Sequence, residues 1–369
     1  MISVTIFAIA AAISAGQPAP TAKPAVAVDD TASLKDVPLQ AGEGRAVATK
    51  LADELTQNFV YPEQGGRYAA MLRANAAAGK YDAGSRGDLA TRMTADLMAV
   101  QKDGHLGVSV AEPPRRRDGG EREWKGPPLI QSAKWLAPGV AYIRFTAFMS
   151  TDEEVAATRA FMAKHSDAKT MIFDLRNHHG GRLGEMDEIF PYLFAARTPL
   201  VTLEMPRSIF DRHGSPFGEA ATLEFAKDAD HVRATHVALP GKATPLRDAT
   251  VYLLTSNVTG SAGEHFALAF KSTGRGTLIG EATAGANHFG GPTEIGEHFT
   301  AFMPVGRTFD IKTGKDWEGV GVAPDVAVPP ETALVVALEE AGLSATEARR
   351  IDATEKPAEP VHRDKLRAR

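Results

Sequence analysis

The sequence contains no cysteine. This absence excludes disulfide bonds, thiolate metal sites, a cysteine nucleophile and a lipid-modified N-terminal cysteine. The chain also has no excess of positive charge, since its formal net charge is −5. We therefore expect neither nucleic acid nor an anionic membrane as a partner. No residues stand out as binding a cofactor or a metal, and the sequence does not indicate an oligomeric state.

No apolar run is long enough to cross a bilayer. Residues 2–15 form an uncharged apolar run that ends in small residues, which is the length of a signal-peptide core, although the usual positive charge before it is missing. We interpret 1–16 as a signal peptide and the Pro/Ala-rich residues 17–43 as a disordered leader. The sequence thus predicts an exported protein, periplasmic or secreted, with no stable membrane span after signal removal.

Residues 44–110 show a helical pattern. Val47, Leu51, Leu55 and Phe59 recur at four-residue spacing, and two further amphipathic segments follow, the last with Asp88 as its expected cap. Three short helices with short connections predict a small helical bundle. Residues 111–128 are rich in Pro, Arg and Gly, which is typical of a linker.

From 129 to 331 strand-like and helix-like segments alternate, which predicts an α/β domain with a largely parallel sheet. The expected strands include 140–145, 170–175 and 250–254. Sites in such sheets form beyond the carboxyl ends of the strands, so the loops after Leu175 and Leu254 are the candidates. Residues 206–247 are polar and irregular, which favours an insertion or a flap. Residues 332–369 are interpreted as a terminal helix and a charged tail.

Ser261 lies where a buried strand passes through a polar turn directly into a helix. Free backbone N–H groups at a helix N-terminus, such as that of Ala262, can hold the negative oxygen of an acyl-transfer intermediate. A second interpretation is equally open at this point. Ser261 is a favoured helix cap, and Glu264 follows at the distance of a capping box.

A nucleophilic serine needs a base and a pair of oxyanion donors. The chain has eleven histidines, of which His105 lies in a tight turn between the helical and the α/β segments, where pockets form. His288 and His298 remain alternatives. Gly180 and Gly181 allow close backbone approach to a ligand, or serve only a turn that needs positive φ.

Four blocks, taken in order, resemble the C-terminal-processing (tail-specific) serine proteases, in the branch of tricorn protease and interphotoreceptor retinoid-binding protein. The blocks are 103–105 (DGH), 174–181 (DLRNHHGG), 255–264 with 280–285, and 318–325 (EGVGVAPD). The resemblance implies a crotonase/Clp-protease-like fold of repeated ββα units and a peptide or protein substrate. It also implies site roles: Ser261 as nucleophile, His105 as general base, Glu318 as the acidic third member, and the amides of Gly180, Gly181 and Ala262 as the oxyanion hole.

Two departures refine this expectation. The better-known relatives use a Ser–Lys dyad, but Ala286 stands where that lysine would be, which favours a histidine base. The linker is also too short for a PDZ-like domain. A non-catalytic binding module for a hydrophobic ligand or peptide, with a cleft lined by Phe289, Phe299 and Phe302, is the alternative function.

Overall fold

A computed structural model of the chain describes residues 34–111 and 128–362. The predicted signal peptide at 1–16 and nearly all of the predicted linker lie outside these residues. Within them, helices come first, and strands alternate with helices afterwards. The mixed α/β architecture with N-terminal helices that the sequence predicts is confirmed.

Three helices form the N-terminal unit: α1 (Glu43–Asn58), α2 (Pro62–Ala77) and α3 (Arg86–Val100). Their apolar faces share one buried core with Phe299 and Met303, two residues of a long strand of the α/β region. The cap predicted at Asp88 is one turn late. Ser85 is the N-cap, and Asp88 is the third helical residue, whose carboxylate accepts the Ser85 N–H at 2.9 Å. Asp88 therefore supplies the other half of a capping box.

The segment before α1, which belongs to the leader predicted from the sequence, contacts the start of α3. Leu39 donates its N–H to the Gly84 carbonyl at 3.0 Å, and Arg86 donates its N–H to the Val37 carbonyl at 2.9 Å. These backbone bonds hold the segment against the helical unit.

The first sheet, which we call the parallel sheet, has the strand order β12-β9-β8-β4-β3-β2. All its pairings are parallel except β2 with β3. Its strands are β2 (Ile130–Ala137), β3 (Val140–Phe145), β4 (Thr170–Asp174), β8 (Thr250–Thr255), β9 (Thr277–Gly280) and β12 (Val326–Ala327). The strands predicted over 140–145, 170–175 and 250–254 agree with β3, β4 and β8 to within a residue at each end.

The second sheet, the antiparallel sheet, was not foreseen as a separate layer. Its order is β1-β11-β5-β7-β6, with β10 also paired to β11. Its strands are β1 (Gly107–Val110), β5 (Thr198–Pro206), β6 (Leu223–Lys227), β7 (His231–Ala238), β10 (Phe289–Gly296) and β11 (Phe299–Asp310). Residues 206–247 are thus not irregular, because they contain β6, β7 and the short helix α6 (Arg207–His213). The alternating burial of Val232, Ala234 and His236 is the strand signal that was overlooked.

Helices pack on both faces of the parallel sheet. One face carries α4 (Asp152–Lys164), α5 (Gly184–Leu193) and α7 (Ala262–Thr273), whose apolar residues share a core with the antiparallel sheet. The other face is covered by α8 (Ala333–Glu340) and α9 (Ala345–Thr354). The predicted charged tail therefore includes a second packed helix. Among the described residues, every helix is too short or too polar to span a bilayer.

Candidate active site

The loops that follow β4 and β8 lie side by side at the carboxyl end of the parallel sheet, as the sequence predicts. Thr259 donates its hydroxyl to the Leu175 carbonyl at 2.7 Å, and the Gly260 N–H donates to the His178 carbonyl at 2.9 Å. The 176–181 loop and the 256–261 loop therefore form one hydrogen-bonded unit, which brings Gly180 to Ser261.

A buried ion cluster at the end of β4 supports this hydrogen-bonded unit. Asp174, at the end of β4, accepts the Arg176 and Arg144 guanidinium groups at 2.7 and 2.9 Å and the Tyr142 hydroxyl at 2.6 Å. Burial raises the pKa of Asp174, but the opposite charge and hydrogen bonds of Arg176, with those of Arg144, hold the pKa well below its usual range. Asp174 is therefore a carboxylate at neutral pH, and it fixes the start of the 176–181 loop.

Ser261 has a strained backbone, with φ of 50° and ψ of −116°. A residue with a side chain adopts positive φ at a cost of about 1–3 kcal/mol, and such strain concentrates at functional sites. An ordinary N-cap has an extended backbone instead. The serine at a sharp strand-to-helix turn is also the arrangement of a nucleophile elbow, in which the hydroxyl is exposed above the sheet. The geometry thus favours more than a capping role.

Glu264 holds this strained turn in place. Its carboxylate accepts the N–H groups of Ser261 at 2.8 Å, Gly285 at 2.7 Å and Ala286 at 2.9 Å, and the Thr283 hydroxyl at 2.6 Å. Burial raises the pKa of Glu264 to about 7, although these four donors stabilise the charged form. The capping-box spacing noted in the sequence is therefore real, but Glu264 also ties the Ser261 turn to the 283–286 segment.

Gly180 packs directly on the serine. A Cβ built on Gly180 would lie 2.6 Å from the Ser261 Cβ and 3.2 Å from its Oγ, so only glycine fits there. The Gly180 N–H, however, donates to the His178 Nδ1 at 3.1 Å. Burial lowers the pKa of His178 to about 3, so the ring is neutral and Nδ1 can accept this bond.

Two of the three amides assigned to the oxyanion hole are free to bind a ligand. The Gly181 and Ala262 N–H groups donate to no other residue in 34–111 or 128–362. The first follows the glycine that packs on Ser261, and the second begins α7 directly after Ser261. Both N–H groups therefore lack an acceptor among the described residues, whereas the Gly180 N–H donates to His178.

His105 follows Asp103 and Gly104 in the turn before β1. Its ring stacks on Phe302 of β11, with the centroids 4.9 Å apart and an angle of 24° between the planes. Burial lowers the pKa of His105, only partly opposed by the charge of Asp103. The Nδ1 atom is buried and accepts or donates no hydrogen bond within the described chain. His105 is therefore a neutral imidazole near pH 7, which is the form a general base needs.

Glu318 contacts the turn that carries His105 rather than its ring. One carboxylate oxygen accepts the Gly104 N–H at 2.6 Å, and the other accepts the N–H groups of Asn287 at 2.7 Å and His288 at 3.2 Å. Burial raises the pKa of Glu318, partly offset by the charge of His288. The expected bond between Glu318 and the imidazole is not formed in this conformation.

Asp103, His288 and Glu318 place one possible metal-ligand atom each within 4.8 Å of one another. These atoms already have hydrogen-bond partners: Asp103 accepts two backbone N–H groups and the His288 Nδ1–H, and both Glu318 oxygens accept backbone N–H groups. A metal would have to displace these bonds. We interpret the three residues as a hydrogen-bonded cluster.

The 283–286 segment connects the serine to the histidine turn. Glu264 accepts the Ala286 N–H from the serine side, and a Cβ built on Gly104 would lie 2.9 Å from the Ala286 Cα and Cβ. Ala286 therefore lies between the two groups, so the residues proposed from sequence occur in two adjoining clusters. From the sequence, Asp103 was expected only as part of the turn and His288 only as an alternative base, and their pairing was not foreseen.

The three phenylalanines proposed to line an apolar cleft do not share one. Phe299 is fully buried in the core of the helical unit, Phe289 packs edge-on against Phe217 at 5.1 Å, and Phe302 stacks on His105. This dispersal weakens the argument for a hydrophobic-ligand module.

Comparison with known proteins identifies the family. Residues 139–328 match the model of peptidase family S41, and residues 40–138 match that of the N-terminal domain of peptidase S41 in eukaryotic interphotoreceptor retinoid-binding protein. The boundary between these matches, at 138/139, falls at the turn between β2 and β3.

Solved structures share the fold at low identity. A Parabacteroides merdae protein assigned as a peptidase is 16% identical, with a TM-score of 0.55, over 82% of this chain and 97% of that one. A Streptococcus agalactiae lipoprotein is 14% identical, with a TM-score of 0.52, over 82% and 96%. The photosystem II D1 C-terminal processing protease is 14% identical, with a TM-score of 0.50, over 78% and 94%. The fold and the family match agree with the resemblance noted in the sequence: the chain belongs to peptidase family S41.

Proposed function

We propose that the chain is a serine peptidase in which Ser261 is the nucleophile, His105 the general base, and Glu318 the acidic residue that supports the base. Membership of peptidase family S41 supports this activity on peptide or protein substrates. The observation that carries the proposal is the position of Ser261. Its strained backbone places it between the free Ala262 N–H and a glycine turn that tolerates no side chain.

In the acylation step, the Ser261 Oγ attacks the carbonyl carbon of the scissile peptide bond while the His105 imidazole takes the hydroxyl proton. The carbonyl oxygen becomes an oxyanion, which the N–H groups of Gly181 and Ala262 stabilise. When the tetrahedral intermediate collapses, the C–N bond breaks and protonated His105 gives its proton to the leaving amine. The product is an ester between the substrate acyl group and Ser261.

Deacylation repeats these steps with water. His105 removes a proton from a water molecule, whose oxygen attacks the ester carbonyl, and the same two amides hold the new oxyanion. The C–O bond to Ser261 then breaks, and His105 returns the proton to the Ser261 Oγ. The free enzyme is regenerated with no net change in protons on the protein.

The surroundings of Ser261 support a histidine rather than a lysine as base. Ala286, which packs on Gly104, has no ionisable group, and the neutral state of His105 is stabilised by burial. In this proposal Glu318 acts on the base through the backbone of the 103–105 turn, because its carboxylate accepts the Gly104 N–H.

The test is covalent labelling with a fluorophosphonate. The Ser261 Oγ should displace fluoride from phosphorus, and the adduct mass should map to the peptide containing residue 261. Because labelling requires an activated serine and not merely a bound ligand, a binding module leaves the protein unmodified. An adduct confined to another residue, or no adduct on folded protein, would contradict the proposed role of Ser261.

We also propose export to the periplasm or the outside of the cell. The support is the apolar run at 2–15 followed by small residues, which has the length of a signal-peptide core. Secreted protein should begin near residue 17 when its N-terminus is sequenced. A mature protein that keeps Met1 would refute this part of the proposal and would leave the peptidase mechanism untouched.

A further inference from the structure

We propose that His288 is a positioning residue for the general base: it pairs with Asp103 and lies beside Glu318, the two carboxylates that together hold the 103–106 turn. The proposal rests on the proposed role of His105 and extends it to a residue that makes no contact with the substrate.

Two carboxylates hold the backbone of this turn. Asp103 Oδ1 accepts the N–H groups of His105 and Leu106, each at 2.9 Å, and Glu318 accepts the Gly104 N–H at 2.6 Å. Every amide from residue 104 to residue 106 therefore ends on a carboxylate oxygen. The direction of the His105 side chain depends on where these two carboxylates are held.

His288 is the group that connects them. Its Nδ1–H donates to Asp103 Oδ2 at 2.7 Å and lies 3.8 Å from Glu318 Oε2, and its own backbone N–H donates to the same Glu318 oxygen at 3.2 Å. Asp103 and His288 are 5% and 3% exposed, so solvent screens their interaction only weakly. The carboxylate oxygens of Asp103 and Glu318 lie within 4.8 Å of each other. Two negative charges this close repel each other unless a cation lies between them.

The helical unit encloses the ring from its other side. Tyr61 and Phe59 contact it edge-on, with centroid distances of 5.5 and 6.4 Å. The ionisable groups that face His288 are Asp103 and His105 from the turn, Glu318 and Asp316 from the loop after β11, and Tyr61 from the α1–α2 connection. Asp316 is itself paired with Arg307 at 3.5 Å, which leaves Asp103 and Glu318 as the principal charged neighbours of the ring, whose Nε2 has no hydrogen-bond partner among the described residues.

The charge state of His288 follows from these neighbours. Burial lowers its pKa, but the hydrogen bond and charge of Asp103, with the charges of Glu318 and Asp316, raise the pKa above its usual 6.5. A raised pKa in the folded state means that the stabilisation by protonated His288 is complete below pH 6.5 and is lost as the pH rises through the folded pKa. His105 must be neutral, and its lowered pKa keeps it so above the acidic range.

The pH dependence of the labelling rate should therefore have two limbs. On the acidic side the rate rises as His105 loses its proton, and on the alkaline side it falls as His288 loses its proton. The experiment measures the second-order rate of fluorophosphonate labelling at Ser261 between pH 5 and 9. It compares the wild type with His288→Asn, His288→Ala and a control, His165→Asn. Like His288, His165 is a buried histidine with a bonded Nδ1, here to the Phe161 carbonyl at 2.8 Å.

Asparagine can keep an N–H donor near Asp103 but carries no charge, whereas alanine has neither. We expect His288→Ala to lower the labelling rate about 10- to 100-fold, the loss typical of a misplaced catalytic group. His288→Asn, which keeps a donor but no charge, should label at about the reduced rate that the wild type shows after His288 has lost its proton, and should lack the alkaline limb. His165→Asn should keep the wild-type rate and both limbs. A His288→Ala protein that labels at the wild-type rate with the wild-type profile overturns the proposal.

Amide hydrogen exchange of the 103–106 segment provides a readout that does not depend on catalysis. Its N–H groups should exchange faster in His288→Ala than in wild type or His165→Asn, because their acceptors are no longer held. Unchanged protection would refute the positioning role. If the amides exchange faster in His288→Ala but the wild type is not labelled at Ser261, the positioning role is supported and only the peptidase mechanism is contradicted. Complete loss of labelling in both His288 variants, with protection unchanged, would instead make His288 the base itself.

Discussion

Replacement of Ser261 by alanine is expected to lower kcat for peptide hydrolysis by about 10⁴- to 10⁶-fold, the loss seen when the nucleophile of a serine peptidase is removed. KM should change little, because the Oγ takes part in bond making rather than in holding the substrate. The residual rate would come from the Gly181 and Ala262 amides and from substrate binding. Steady-state kinetics on a peptide that the wild type cleaves gives both constants.

The fold should survive this change. Ser261 donates its backbone N–H to Glu264, and alanine retains that bond. Alanine at positive φ carries about the same strain as serine, so the far-ultraviolet circular dichroism and the unfolding midpoint should match those of the wild type. Ser272→Ala is the matched control, since its hydroxyl lies on the same helix and bonds to no described residue. A Ser261→Ala protein with wild-type kcat would exclude Ser261 as nucleophile.

The second large effect concerns stability. Asp174→Asn should reduce the free energy of unfolding by about 3–5 kcal/mol, because it leaves the Arg144 and Arg176 charges buried without their counter-charge. Both guanidinium groups are less than 5% exposed, so water cannot replace the carboxylate. Urea denaturation at pH 7 measures the change. Because the pKa of Asp174 is depressed in the folded state, its contribution is present above the unfolded pKa and is lost as the pH falls towards the folded pKa.

An exposed carboxylate provides the comparison for this substitution. Asp53 pairs with Arg73 at 2.7 Å, but the two side chains are 47% and 49% exposed. Asp53→Asn should therefore change the free energy of unfolding by less than about 1 kcal/mol. Equal effects at Asp174 and Asp53 would show that the cluster beneath the 176–181 loop does not contribute more than a surface pair.

The sequence was most informative where one physical requirement dominates. Buried strands such as 170–174 are continuous apolar runs, and a serine between a strand and a helix marks a sharp turn. The antiparallel sheet was harder to foresee, because β6 and β7 are half-exposed and polar on one side. The sheet also pairs β5 with β11, two strands that are distant in sequence. The helix cap was predicted at Asp88 instead of Ser85, because Ser and Asp are both favoured at helix starts.

The candidate site also contains some residues that the sequence could predict and others that it could not. Ser261, Gly180 and Gly181 could be placed from local pattern and family resemblance, because each requires a particular backbone. The Asp103–His288 pair could not, since it joins residues 185 positions apart. Nothing near His288 in sequence indicates its partner. Glu318 was assigned to the imidazole, but its contacts with three backbone amides depend on how the 285–288 and 318–321 segments meet.

The buried ion cluster draws partners from far along the chain, and this bears on when the loop after β4 acquires its final form. Arg176 donates to the Pro330 carbonyl at 2.8 Å, and Arg144 donates to the Glu355 carbonyl. Until residue 355 has left the ribosome, these two guanidinium groups lack some of their hydrogen-bond acceptors. A nascent chain that already contains Ser261, His105 and Glu318 therefore still lacks the contacts that complete the support of the 176–181 loop. The shape of the loop after β4 thus depends on the chain as far as residue 355, well beyond the last residue of the candidate site.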